Sequence, residues 1–176
     1  MRDLSNTIAL IKPTIELKDE YLDMINDWKV HNEKPNPGTL KLDPTNFPLM
    51  LEKLDGFSKG IGVEKNHVEH STYWLVDNNR VIGAVNIRHR LNDYLKKFDG
   101  HIGGGIRPSD RLKGYATTML SLSLEITREM GMNKVLITCN KDNISSEKTI
   151  IKNGGVFESE EIESDGNIVR RFWIEL

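Results

Sequence analysis

The chain has a single cysteine, Cys139, among its 176 residues, so no intrachain disulfide framework can brace it. Nor does any apolar run approach the ~18 residues of a membrane-spanning helix; the longest apolar stretches are short and strand-like. Neither sign of charge dominates, since 24 basic and 26 acidic residues leave a net charge of −2. That balance excludes strong bulk attraction to nucleic acid or to an anionic membrane, and neither is expected as a partner. Repeats, linkers and low-complexity tracts are absent too. Met1-Arg2-Asp3 leads into mixed polar sequence and not into the apolar centre of a signal peptide, so a cytoplasmic location is expected.

What is present suits a globular protein. Hydrophobic residues make up 38% and charged residues 28%, in a chain long enough to bury one substantial core. A single domain over residues 1–176 is expected.

Strand-like and helix-like segments alternate, which predicts an α/β or α+β domain. Thr7 to Ile11 reads as a strand, and Leu17 to about His31 as a helix, with Leu17, Tyr21, Met24, Ile25 and Trp28 at helical spacing. Pro35-Asn36-Pro37-Gly38 breaks that helix, and a further helix is expected near Leu49 to Phe57. Thr72–Val76 and Val81–Ile87 flank Asp77-Asn78-Asn79-Arg80, a hairpin signal. His101 to Ile106 reads as a strand, and Met119, Leu122, Ile126 and Met130 as one face of a helix that Gly131 ends. Lys134 to Cys139 is a buried strand by its apolar run, followed by a helix over Ser145 to Lys152. Val156–Glu163 and Ile168–Ile174, joined by a turn at Asp165-Gly166, form a last hairpin.

The most informative stretch joins the strand 101–106 to the helix after it. Ile106-Arg107-Pro108-Ser109-Asp110-Arg111-Leu112-Lys113-Gly114 is a cationic loop that opens directly into a helix. Unpaired N–H groups at a helix start, beside arginine and lysine, suit a phosphorylated ligand. An ordinary turn capped by Ser109 or Asp110 is the plainer reading. Arg111-x-x-Gly114-x-Ala116 is more particular than that turn requires, because Gly114 allows close approach and Ala116 keeps the first helical turn open. The pattern is neither GxxxxGK[ST] nor GxGxxG, so P-loop and dinucleotide folds lose support.

At this point the sequence resembles the GNAT N-acetyltransferases. Their pyrophosphate loop, Arg/Gln-x-x-Gly-x-Gly/Ala, is matched by Arg111, Gly114 and Ala116, with an Asn-x-x-Ser element at Asn143 and Ser146 and then Gly154-Gly155. The resemblance implies a mixed, mostly antiparallel twisted sheet of about seven strands with helices on both faces. It implies acetyl-CoA as co-substrate, no metal, and transfer of acetyl to a primary amine of a small molecule or peptide. The expected cofactor-binding set is Gly105, Ile106, Arg107, Arg111, Lys113, Gly114, Tyr115, Ala116, Thr117, Asn143 and Ser146. Backbone amides from Lys113 to Thr117 would hold the pyrophosphate, and Gly105 and Ile106 would bond the pantetheine arm like an added strand. Asn143 would touch that arm from the other side, and the Ile106 amide would donate to the oxyanion that develops on attack.

Many relatives place a tyrosine seven residues after the asparagine to protonate the leaving thiolate; here that position is Ile150. The acid must come from elsewhere or be dispensable, and a non-catalytic acyl-CoA sensor on the same fold stays open. His101 is a candidate base, because it lies on the strand entering the groove and titrates near neutrality, with Asp99 as a weaker one. A strand histidine bonded to a neighbour is the plainer reading.

Arg88-His89-Arg90 ends the second hairpin strand, and alternation puts Arg88 and Arg90 on one face. They form a candidate acceptor subsite for a carboxylate; a solvated strand end is the alternative. Cys139 reads as a core residue and not as a nucleophile. His67-x-x-His70 lacks the partners of a metal site, and no metal is expected. The acceptor cannot be read from the sequence, although residues 32–70 are expected to shape its pocket. A homodimer is left open.

Overall fold

The computed structural model describes residues 8–176. Thr7, placed by the sequence in the first strand, lies outside them, and the strand is Ala9–Ile11 (β1). After it come helices α1 (Lys18–Val30) and α2 (Phe47–Ser58), then strands β2 (His70–Asp77), β3 (Arg80–Arg88) and β4 (Ile102–Ile106). The second half is α3 (Tyr115–Glu129), β5 (Lys134–Asn140), α4 (Ile144–Lys152), β6 (Val156–Ile162) and β7 (Ile168–Glu175).

Local chemistry explains most boundaries. Asn78 and Asn79 sit at φ 48° and 61°, the left-handed pair that a tight hairpin needs and that asparagine tolerates. The Asn46 side chain accepts the Leu49 N–H at 3.1 Å and so starts α2. On α1, Tyr21, Met24 and Trp28 are buried at helical spacing.

The seven strands form two sheets, ordered β1-β2-β3-β4 and β5-β7-β6, and every ladder in them is antiparallel. Helices cover both faces of the larger sheet. Tyr21, Met24 and Phe47 pack with Trp74 and Ala84 on one face, and Tyr21 stacks on Trp74 at 4.7 Å. Met119, Leu120 and Leu124 of α3 pack with Leu75, Val85 and Ile87 on the other, where Phe172 and Ile174 of β7 join them.

The inner stripe of α3 is not the one expected. Ser123 and Thr127 are fully buried, while Met130 is exposed. The two hydroxyls donate to Met119 O (2.7 Å) and Leu124 O (2.9 Å), which lets polar side chains occupy core positions.

Strands β4 and β5 share no ladder and meet only at one end. There His101 N–H donates to Leu136 O (2.8 Å) and Leu136 N–H donates to His101 Nδ1 (2.9 Å). Gly100, at φ 63°, permits this approach, since a Cβ would stand 2.4 Å from Leu136 O. Beyond this seam the sheets diverge.

Candidate functional site

The divergence of β4 and β5 leaves a cleft of ≈ 1250 Å³. Its walls are Gly103–Ile106 of β4, Ile137–Asn140 of β5, and the first turns of α3 and α4; Trp28, Glu33, Asn36, Arg88 and Asp99 line it further out.

The register of β4 decides which of its backbone groups reach this space. Arg107 N–H donates to Ile82 O (2.9 Å) and Arg88 N–H to His101 O (2.8 Å), with Gly105 opposite Ala84 and Gly103 opposite Asn86. Antiparallel alternation therefore turns the N–H and C=O of residues 103, 105 and 107, and the C=O of His101, toward β3, while the His101 N–H turns to Leu136. Those of Ile102, Gly104 and Ile106 face away from it, into the cleft. Gly105 thus differs from expectation: its backbone is committed to the ladder, and Gly104 takes the cleft-facing place. Asn36 Nδ2 donates to Gly104 O (2.7 Å) and Arg111 Nε to Ile106 O (3.2 Å). The Gly104 and Ile106 amides have no acceptor among the described residues.

The loop after β4 is cationic in sequence but neutralised in the fold. Arg107 is buried, with Nη2 2.7 Å from Asp23 and Nε 3.6 Å from both Asp27 and Asp110. Lys113 bonds Asp110 at 2.9 Å. Arg111 forks onto Glu33 at 3.0 and 2.7 Å while lying over the Trp28 ring. Burial would raise the carboxyl pKa of Asp110, but the Lys113 and Arg80 contacts hold it below the usual range. Arg107 and Lys113 do not line the cleft, which corrects their expected part as ligand-facing cations. Asp110 of the same loop serves both, and Asp23 and Asp27 of α1, far away in sequence, complete the surroundings of Arg107.

What the loop does offer is backbone. Gly114 stands at φ 84° with open space where a Cβ would be, and no side chain caps α3. The first helical bond is Thr118 N–H to Gly114 O, so the amides of Tyr115, Ala116 and Thr117 have no internal acceptor. Tyr115 Oη donates to Asp77 (2.6 Å) and ties this turn to the β2–β3 hairpin. Across the cleft, Asn143 Oδ1 accepts the Ser146 N–H at 3.1 Å and starts α4, and both residues line the wall.

Two other expectations are corrected. His101 is buried at the seam, outside the cleft, with Nδ1 occupied by the Leu136 N–H; burial pushes its pKa down to about 4. It has neither the exposure nor the basicity of a general base at neutral pH. Arg90 lies beyond the end of β3, paired with Glu69 at 3.0 Å and away from the cleft, so the two-arginine subsite does not assemble. Arg88 alone lines the wall. Cys139 belongs to both core and wall, and burial raises its pKa to about 11, which keeps it a thiol at neutral pH. Ile150 is buried at the cleft wall.

Glu33 and Asn36 fall within the segment 32–70 expected to shape the acceptor pocket, though neither is named there, and Trp28 reads in the sequence only as core or rim packing. The helix-breaking Pro35-Asn36-Pro37 was the one sequence signal for them, because it turns the chain back over β4.

Residues 8–156 match the family model described as acetyltransferase (GNAT) domain. No curated protein sequence matches the chain. In fold it is similar to the microcin C7 self-immunity acetyltransferase MccE, solved with acetyl-CoA and AMP. That match has 17% identity and a TM-score of 0.68 over 99% of this chain and 100% of the other. The ribosomal-protein α-N-acetyltransferase RimL, solved with coenzyme A, matches at 13% identity and TM-score 0.70, covering 98% and 96% of the two chains. Mycobacterium smegmatis RimJ, solved with a coenzyme A disulfide, gives 14% identity and TM-score 0.69 over 97% and 83%.

Proposed function

The chain belongs to the GNAT acetyltransferase domain family, and on that basis we propose that it moves an acetyl group from acetyl-CoA to a primary amine. One observation carries the reading. The free amides of Gly104 and Ile106 face a cleft that the uncapped N-terminus of α3 also enters. A ligand with a phosphate-bearing end and an amide-bearing arm ending in an acyl group fits both. The similar proteins MccE and RimL, solved with acetyl-CoA and coenzyme A, support this choice.

The chain's own groups divide the work. Amides of Tyr115, Ala116 and Thr117, at the positive end of the α3 dipole, bind pyrophosphate without needing the loop's paired cations. Gly114 keeps the space above them open. The Gly104 amide bonds the arm, and the Ile106 amide donates to the carbonyl oxygen as it gathers charge. Bound acetyl-CoA supplies an activated acyl group, so the acceptor needs mainly a free amine lone pair and correct placement. The acceptor enters past Trp28, Asn36 and Arg88, which line the cleft. A cytoplasmic setting fits this reading.

A second reading, an acyl-CoA sensor without turnover, is favoured by Ile150, an alkyl side chain where relatives carry an acid. The two separate cleanly. Transfer predicts that acetyl-CoA raises Tm, that ATP does not, and that thiol is released when an amine is added. A sensor predicts the Tm shift with no thiol from any amine. An equal shift with ATP, or none with either ligand, overturns the cofactor assignment.

A further inference from the structure

Arg88 is held in an unusual way for a charged side chain. It lies flat on β4, with Nη1 3.4 Å from where a Cβ of Gly103 would be. Nη1 is fully used, donating to the carbonyl oxygens of Asp99 (3.1 Å) and Gly100 (3.3 Å). The opposite edge is not. Among the described residues Nε–H has no acceptor, and Nη2 has only a 3.5 Å contact with Asp99 Oδ2. Yet only 20% of the side chain is exposed, and burial lowers its pKa.

The other paired arginines differ. Arg80, Arg90, Arg107, Arg111, Arg170 and Arg171 each have a carboxylate oxygen at 3.1 Å or less. A mostly buried guanidinium without a close counter-ion is costly, and the cost is recovered only if an anion arrives. The open Nε/Nη2 edge is the one that receives a carboxylate in two parallel hydrogen bonds. It sits on the cleft wall, on the strand face that the Trp28 ring and Asn36 also pack against at Gly105.

We propose that Arg88 is the acceptor-recognition residue and that the acceptor is an amine bearing a carboxylate. This rests on the acetyl-transfer reading above. Gly103 and Ile106 are three residues apart on β4, roughly 10 Å along an extended strand. The carboxylate and the attacked carbonyl are therefore well separated. That separation favours an ω-amino acid, or a peptide whose carboxylate lies beyond its terminal amine, over an α-amino acid.

The test uses paired acceptors that differ only in charge: glycine, 4-aminobutyrate and 6-aminohexanoate against their amides, and serylglycine against serylglycinamide. Thiol release from acetyl-CoA and binding to the coenzyme A-loaded protein are both measured. The expected result is a roughly 10- to 100-fold preference in kcat/KM for acids over amides, least for glycine. The free acids and the dipeptides separate a small-molecule acceptor from a peptide one. Arg88→Gln should abolish the preference by raising the acid's KM; Arg88→Lys should restore part of it. Equal turnover of acids and amides overturns the assignment and leaves acetyl transfer standing. Acid-selective, Arg88-dependent binding without thiol release upholds it and overturns acetyl transfer. Neither turnover nor selective binding overturns both.

Discussion

Asp27 accepts two hydrogen bonds from Ser109, one from its backbone N–H at 3.0 Å and one from its hydroxyl. The pair joins the middle of α1 to the loop before α3, and Arg107 lies 3.6 Å from the same carboxylate. Burial alone would raise the Asp27 pKa, but the Ser109 bonds and Arg107 hold it below the ordinary carboxylate range. Asp27→Ala should therefore cost about 1–3 kcal/mol by leaving the Ser109 N–H and hydroxyl without their acceptor, measured by urea unfolding at pH 7. Because the native pKa is depressed, this contribution is complete above the unfolded-state value and fades as pH falls below it. Acetyl-CoA affinity should fall as well, since the loop loses its anchor.

His101 acts at the seam, not in catalysis. Its folded pKa of about 4 lies below the ordinary 6.5, so the stability it contributes is fully present above pH 6.5 and is lost as pH falls toward 4. His101→Ala should cost about 1–3 kcal/mol at pH 8 by leaving the buried Leu136 N–H unpaired. It should also flatten the stability loss between pH 6.5 and 4. The pH profile of kcat/KM should not move; an inflection near neutrality lost in the variant would restore the base assignment.

Features governed by neighbours in the chain were legible in the sequence. Asn78-Asn79 announced the hairpin, and Gly114 the open approach to the start of α3. Features governed by distant partners were not. Whether Gly104 or Gly105 faces the cleft depends on the β3 register, and one residue of slip exchanges them. The charge of Arg107 and Lys113 reads as ligand-facing until Asp23 and Asp27 of α1 are seen to meet the same network as Asp110. Arg90 fails by position, since alternation holds only while the strand continues, and β3 stops at Arg88.

Gly114 separates backbone geometry from space. Asparagine tolerates a positive φ better than other side chains. Gly114→Asn should therefore keep most of the stability while crowding the open side of the loop. Gly114→Val should lose about 1–2 kcal/mol in addition. Both should raise the acetyl-CoA Kd by at least about tenfold, or 1.4 kcal/mol. Calorimetry on the folded Asn variant checks this, and unchanged affinity contradicts the role of the loop.

Ile150 sits in the core as well as at the cleft, 2% exposed, with its Cγ2 2.4 Å from where a Cβ of Gly155 would lie. Ile150→Tyr should overpack this corner and cost about 1–3 kcal/mol in thermal unfolding. The rate of thiol release should not rise, because the phenol has no room to reach the leaving group without displacing its neighbours.

The central claim is that backbone amides, and not the loop's cations, hold the donor. Amide chemical shifts recorded while acetyl-CoA is titrated into the protein test it most directly. The account predicts the largest changes at Gly104, Ile106, Tyr115, Ala116 and Thr117, and little at Gly103 and Gly105, whose amides face β3. Saturable binding that leaves the first five unmoved would contradict it.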